Sequence, residues 1–305
     1  MNAMDWKLGL SSCCRGRVDR ALFEEYAANG IDCMEISLPY EKYVQLDWKA
    51  AAESAKATGV RIWSLHLPFF PFDEIDISTP NCRVRENTLR LHQASLEHAA
   101  ALGIPVAVVH PSGEPNPENE RAERMQYAGE SLAALAEYAA PLGITIAVED
   151  LPRTCLGNCS ADILQLLAGD DRLRVCFDTN HLLTESNSDF IRAVGDKIVT
   201  LHVSDYDFRN ERHWLPYEGR NDWKQMVSLL EQVGYSGPFL YEVSCNAPKT
   251  IRRRELTFAD FRENHAACVK KRPFVPFGVP DEEACRQTAY YSVPILSDAS
   301  ENGKR

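Results

Sequence analysis

The chain has 305 residues, 45% hydrophobic and 25% charged, the balance of a globular protein with room for a sizeable core. Its 33 Lys and Arg against 44 Asp and Glu leave a formal charge of −11, which gives no help in finding a polyanion, so no nucleic-acid partner is expected. No apolar run approaches the ~20 residues of a membrane span, the first residues lack a secretory pattern, and the ten cysteines form no paired CxxC motif. The expectation is therefore a cytoplasmic chain with reduced thiols, Cys33, Cys176 and Cys268 among them lying in apolar runs.

Trp6–Leu10 opens as a strand, and Arg17–Asn29 reads as a helix stopped by Gly30. Cys33–Leu38 is the second strand, Asp47–Thr58 a helix closed by Gly59, and Val60–Leu67 the third strand. A long helix, Val84–Leu102, ends at Gly103, and Val106–His110 is the fourth strand. Pro117–Leu142 is helical, Gly143 ends it, and the β-branched run Ile144–Val148 leads to Glu149. Ser160 is the expected N-cap of the next helix. Arg174–Phe177, Ile198–Val203 and Phe239–Val243 are strands six to eight, followed in turn by helices Ser188–Val194, Asp222–Val233 and Thr257–Val269.

Strands alternating with helices predict a parallel sheet, and eight such pairs predict a closed (β/α)₈ TIM barrel over residues 1–271. No Gly-x-Gly-x-x-Gly follows the first strand, so no dinucleotide-binding residues are expected. Residues 272–305, with Pro273, Pro276, Pro280 and Pro294 and no clear period, read as a C-terminal extension that wraps the barrel or meets another subunit of a homo-oligomer.

The active site of such a barrel lies at the C-terminal ends of its strands. Glu35 lies in strand two, paired there with a lysine or arginine or used catalytically. His66, His110, Glu149 with Asp150, Asp178, His202 and Glu242 stand where strands three to eight stop. His181 follows Asp178 by three residues, and His213 lies in the loop after strand seven. His92, His98 and His265 fall on helices and read as ordinary helix residues, and Asp205 and Asp207 as turn residues. Acids gathered at one mouth are costly to bury without a cation. Carboxylates with imidazoles suit a divalent metal: Mn²⁺, Zn²⁺, Co²⁺, Fe²⁺ or Mg²⁺. Selectivity is assigned to Trp63, Phe69, Phe70, Trp214 and Tyr217.

Seven stretches in order then carry a resemblance: Ser64–Pro68, Val109–Gly113, Val148–Pro152, Phe177–His181, Leu201–Asp205, Arg212–Trp223 and Tyr241–Val243. Together they resemble the xylose-isomerase-like barrel superfamily, which contains sugar-phosphate isomerases and epimerases and endonuclease IV. The resemblance implies that Glu149, Asp178, His202 and Glu242 hold one metal, that His181 binds substrate hydroxyls and that Arg212 clamps substrate. It also implies a metal-dependent isomerase or epimerase acting on a sugar, sugar phosphate or polyol-derived keto compound. Glu149 and Glu242 then move the proton through an enediolate. The endonuclease branch would add His66, His110, His181 and His213 as ligands of further zinc ions for cleaving abasic DNA, with Glu211 where that branch has aspartate. A third reading is a non-catalytic sugar-binding barrel.

Overall fold

A computed structural model describes residues 6–290; the end of the expected extension, 291–305, lies outside it. Eight parallel strands form the barrel: β1 Leu8–Ser11, β2 Cys33–Ile36, β3 Arg61–His66, β4 Val106–Val109, β5 Thr145–Glu149, β6 Arg174–Asp178, β7 Ile198–His202 and β8 Phe239–Tyr241. They are hydrogen-bonded in the order β7-β6-β5-β4-β3-β2-β1-β8. The ring closes where Val203 bridges Tyr241, its N–H donating to the Leu240 carbonyl at 2.8 Å and its carbonyl accepting from Glu242 N–H at 3.1 Å. This is the (β/α)₈ barrel that the alternation predicts.

The helices are α1 Arg20–Ala28, α2 Tyr40–Gln45, α3 Trp48–Thr58, α4 Cys82–Leu102, α5 Arg121–Ala139, α6 Ser160–Leu167, α7 Asn187–Val194, α8 Trp223–Gln232 and α9 Phe258–Val269. Their starts follow capping chemistry: the side chains of Asp19, Asp47, Asn81 and Asp222 accept N–H groups of the first turn, and Thr257 with Asp260 forms a reciprocal box. At α6 the expectation fails. Ser160 is the first helical residue, not the cap. The Glu185 carboxylate takes both its N–H (2.6 Å) and its hydroxyl (2.7 Å), placing an anion at the helix's positive end. No helix among the described residues is long and apolar enough to cross a membrane. All ten cysteines are free, with Cys33, Cys176 and Cys268 buried.

Side-chain alternation sets the barrel interior. Val106, Val108, Ala147 and Cys176 pack together in the lower barrel with Trp63 and Val199. Near the same level, a Cβ on Gly9 would come within 2.8 Å of the Cys33 sulfur and 3.1 Å of Leu240, so only glycine fits there. The next inward positions are His110, Glu149, Asp178 and Glu242, two residues past Val108, Ala147, Cys176 and Leu240. In β3 and β7 the register slips by one residue, at Trp63 and Val199. Each slip is a bulge that turns the following residues, Ser64 with His66 and Thr200 with His202, inward.

Residues 272–290, for which no element is expected, carry two. β10 (Val279–Pro280) pairs antiparallel with β9 (Ile251–Arg252), and helix α10 spans Glu282–Gln287. The Cys285 side chain is buried with Trp214 and Ile251.

Candidate metal centre

Six side chains from the strand ends converge at the mouth. Glu149 is the hub: its Oε2 lies 3.1 Å from His66 Nε2 and 3.2 Å from His110 Nε2, and its Oε1 lies 3.0 Å from His202 Nδ1. His202 Nδ1 is also 3.5 Å from Glu242 Oε2 and 3.9 Å from Asp178 Oδ2. One ligand atom from each of Glu149, Asp178, His202 and Glu242 falls within 4.8 Å of the others. Three further groups of this kind are His66 with His110 and Glu149, His181 with Glu211 and His213, and Glu149 with His202 and Cys176.

Most of the cleft histidines are held in ring orientations suited to metal ligation. Four of the five, all but His110, tie one ring nitrogen down and turn the other toward carboxylates. His66 Nδ1 meets the Leu67 carbonyl at 2.9 Å, His181 Nδ1 the Asp150 carbonyl at 2.8 Å, and His213 Nδ1 the Glu242 carbonyl at 3.3 Å. His202 Nε2 donates to Glu35 Oε2 at 3.1 Å. Glu35 thus pairs with a histidine and with the Ser64 hydroxyl (2.7 Å) rather than with a lysine or arginine. Its place behind His202 is that of a carboxylate orienting a ligand. The Asp178 Oδ2, fully buried, has no hydrogen-bond partner, which a cation would remedy.

The electrostatics are divided. Burial works to raise the Glu149 carboxyl, but His202 and His110 overcome it and hold the group well below the usual carboxylate range. Glu242 is lowered in the same way, against burial, by His202 and His213. Burial drives Asp178 well above its usual value and Asp150 up to about 8. The Asp150 Oδ1 accepts the Asp178 N–H at 2.7 Å, so this acid braces β6 instead of facing the mouth.

The cleft above these groups has a volume of about 260 Å³ and is lined further by Phe69, Phe72, Ser112, Glu114, Arg153, Cys155, Glu211 and His213. Phe69 stacks on His110 with centroids 4.2 Å apart. Two of these lining residues, Arg153 and Glu114, carry no local signal in the sequence. Arg153 stands in a loop with φ of 54° and grips Glu114 through Nε and Nη2 (2.8 and 2.7 Å) and Glu211 through Nη1 (2.8 Å). Glu211 in turn faces His181 Nε2 at 3.4 Å. Glu211 is the acid of the acid-x-histidine pair it forms with His213 in the sequence.

Several expected residues stand elsewhere. Arg212 does not reach the cleft: its guanidinium is buried against Asp207, the Cys285 carbonyl and the Thr288 hydroxyl. Trp63 lies at the opposite end of the barrel, bonded to Thr200 Oγ1 at 3.2 Å. Trp214 is buried under the C-terminal segment, its indole on Thr250, and the Tyr217 hydroxyl donates to the Arg272 carbonyl. Phe70 is exposed. Asp205 is a turn residue as expected, accepting from Tyr206 N, Tyr217 N, Asn221 N and Trp223 Nε1. His92 bonds the Pro68 carbonyl, His98 stacks on Trp48 and His265 meets the Trp6 carbonyl.

Residues 23–260 match the family model described as xylose isomerase-like TIM barrel. An uncharacterized protein of Methanocaldococcus jannaschii is 27% identical over 195 residues, 61% of this chain and 66% of that one. Fructoselysine 3-epimerase of Escherichia coli O157:H7 is 29% identical over 136 residues, 42% of this chain and 50% of that one. The chain therefore spans less than two thirds of either relative's length. A crystal structure of a D-tagatose 3-epimerase-like protein superposes with a TM-score of 0.75 at 24% identity, covering 87% of this chain and 97% of that one; it shares the fold. With 238 of 305 positions inside the family model, the chain belongs to the xylose isomerase-like TIM barrel family.

Proposed function

We propose that the chain is a divalent-metal-dependent epimerase or isomerase of a small ketose. The observation that carries this reading is the four-residue group Glu149, Asp178, His202 and Glu242, two of whose carboxylates come from strands three apart around the barrel. The epimerase names carried by the fructoselysine relative and the D-tagatose 3-epimerase-like structure support the same reaction class.

Those four residues are fitted to hold the cation, by donor type, by the orientation of His202 and by the unpartnered Asp178 oxygen. When bound, a divalent ion supplies Lewis-acid polarisation of a substrate carbonyl, which acidifies the adjacent C–H. Glu149 and Glu242, both kept ionised by neighbouring histidines, are then a pair of bases. One takes the proton from the carbon beside the carbonyl, and the other returns a proton to it. Phe69 and Phe72 wall off one side of the cleft and limit the water that reaches the reacting carbon. His181 and His213 face the cleft as donors for substrate hydroxyls.

The cleft also favours an unphosphorylated sugar. Arg153 is the one Lys or Arg among the described lining residues, and its guanidinium is already spent on Glu114 and Glu211. A phosphate would have to displace one of those carboxylates.

The test is solvent proton exchange into a ketose, followed in Glu149→Gln and Glu242→Gln. Both variants should lose exchange, with kcat falling on the order of 10²- to 10⁴-fold; full exchange in either overturns the two-base assignment. A second reading rests on two of the other groups, those around His66–His110 and His181–Glu211–His213: a zinc phosphodiesterase acting on abasic DNA. Elemental analysis separates them. One exchangeable ion per chain favours the epimerase; two or three tightly held zincs, with cleavage of an abasic duplex, favour the other.

A further inference from the structure

We propose that the C-terminal segment is a working part of the cleft, acting through Arg212 as a positioning residue for the loop that carries Glu211 and His213. In this loop Glu211 and His213 face the cleft, while Arg212 between them faces away into protein. Its Nε and Nη2 both lie on the Asp207 carboxylate, at 3.0 and 2.9 Å. Nη1 donates to Thr288 Oγ1 at 2.7 Å and Nη2 to the Cys285 carbonyl at 3.0 Å. That carbonyl belongs to the last turn of α10, where the helix leaves its acceptors unsatisfied and its dipole favours a cation.

The same segment reaches the loop backbone. Asn210 Nδ2 donates to the Thr288 carbonyl at 2.9 Å, and Tyr290 N–H to the Arg209 carbonyl at 2.8 Å. On the cleft side the loop is latched to Asn180, the neighbour of His181, whose Oδ1 accepts Arg212 N–H (2.7 Å) and His213 N–H (3.2 Å). The loop is thus gripped from both sides. It needs to be: His213 has φ of 51° and Phe208 of 60°, left-handed conformations that a non-glycine residue keeps only where its surroundings over-determine them. Released from the C-terminal segment, the loop loses the hold that sets Glu211 opposite His181 and Arg153.

The inference rests on the reading of the cleft as an active site for its kinetic arm only. The experiment is amide hydrogen exchange on the full-length protein, comparing wild type with Arg212→Gln, Arg212→Lys and Thr288→Val, alongside steady-state kinetics on a ketose. Exchange over residues 207–216 should rise about tenfold or more in Arg212→Gln and less in Thr288→Val, with β5 and β6 unchanged. Arg212→Lys, which keeps the charge without the fork, should fall between. KM should rise about tenfold in Arg212→Gln with a smaller fall in kcat, as expected when groups beside the substrate lose their placement. Unchanged exchange in this loop overturns the proposal, and so does a rise spread evenly through the barrel, which would make the segment a general stabiliser. If Arg212→Gln fails to fold, Thr288→Val decides by the same criteria. If the wild-type chain turns over no ketose, the proposed function fails while the exchange result still settles the role of Arg212.

Discussion

The two halves of the cleft are built differently. Glu149, Asp178 and His202 end strands β5, β6 and β7 and are almost fully buried, their backbones fixed by the barrel's own hydrogen bonds. Glu211 and His213 sit on a loop with about a third of each side chain exposed, held by Asn180 on one side and by the C-terminal segment on the other. A strand-borne group is placed by the fold itself, with little freedom to lose. A loop-borne group is placed by contacts that can differ in every relative. Chemistry that every substrate needs belongs on the first, and discrimination among substrates on the second.

Removing one group from each half tests that division. Asp178→Asn should lower metal content per chain and reduce kcat/KM by about 10³-fold or more, since the remaining donors leave the set incomplete. Glu211→Gln should leave metal content at the four-residue group intact and act mainly on KM, by about 10- to 100-fold, through loss of its hold on His181 and Arg153. Equal effects from the two variants, measured as metal content and as separate kcat and KM, would abolish the distinction. Glu35→Gln gives an intermediate case. Glu35 touches His202 from behind, so this variant should weaken metal binding by about 10- to 100-fold while substrate KM stays near the wild-type value. Direct metal titration reads the first and initial rates the second.

The same division decided what was legible in the sequence. Inward positions recur every two residues along a strand, so Val108 points to His110, Ala147 to Glu149, Cys176 to Asp178 and Leu240 to Glu242. The eight strands, the long helices and the acids and histidines at the strand ends follow from such local patterns. The helices α2 and α10, six residues each, are too short for an apolar period to register. The direction of Arg212 depends on Cys285 and Thr288, more than seventy residues away. Arg153 depends on a left-handed backbone turn, and Glu185 captures the start of α6 from another loop. None of these long-range partners leaves a local mark. The orientation of Trp63 is hidden for a related reason. A bulge in β3 turns it down into the barrel, and a bulge is one residue too small to show as a break in an apolar run.

The last expected effect falls on stability and not on turnover, and concerns a histidine outside both halves. His92 on α4 is buried, donates Nε2–H to the Pro68 carbonyl at 2.8 Å, and leaves Nδ1 without a partner. Burial pushes its imidazolium down from 6.5 to about 4. Between those values the unfolded chain binds a proton that the folded chain refuses, so stability rises with pH across this window. The contribution is complete above pH 6.5 and is lost as pH falls toward 4, amounting to about 3 kcal/mol at the bottom of the window. His92→Gln keeps a donor for Pro68 and cannot titrate. Urea unfolding of both proteins from pH 7 to pH 4 should therefore show the wild type losing more stability than the variant by roughly that amount, with no difference in metal content. Parallel pH slopes would mean that His92 accepts its proton in the folded state.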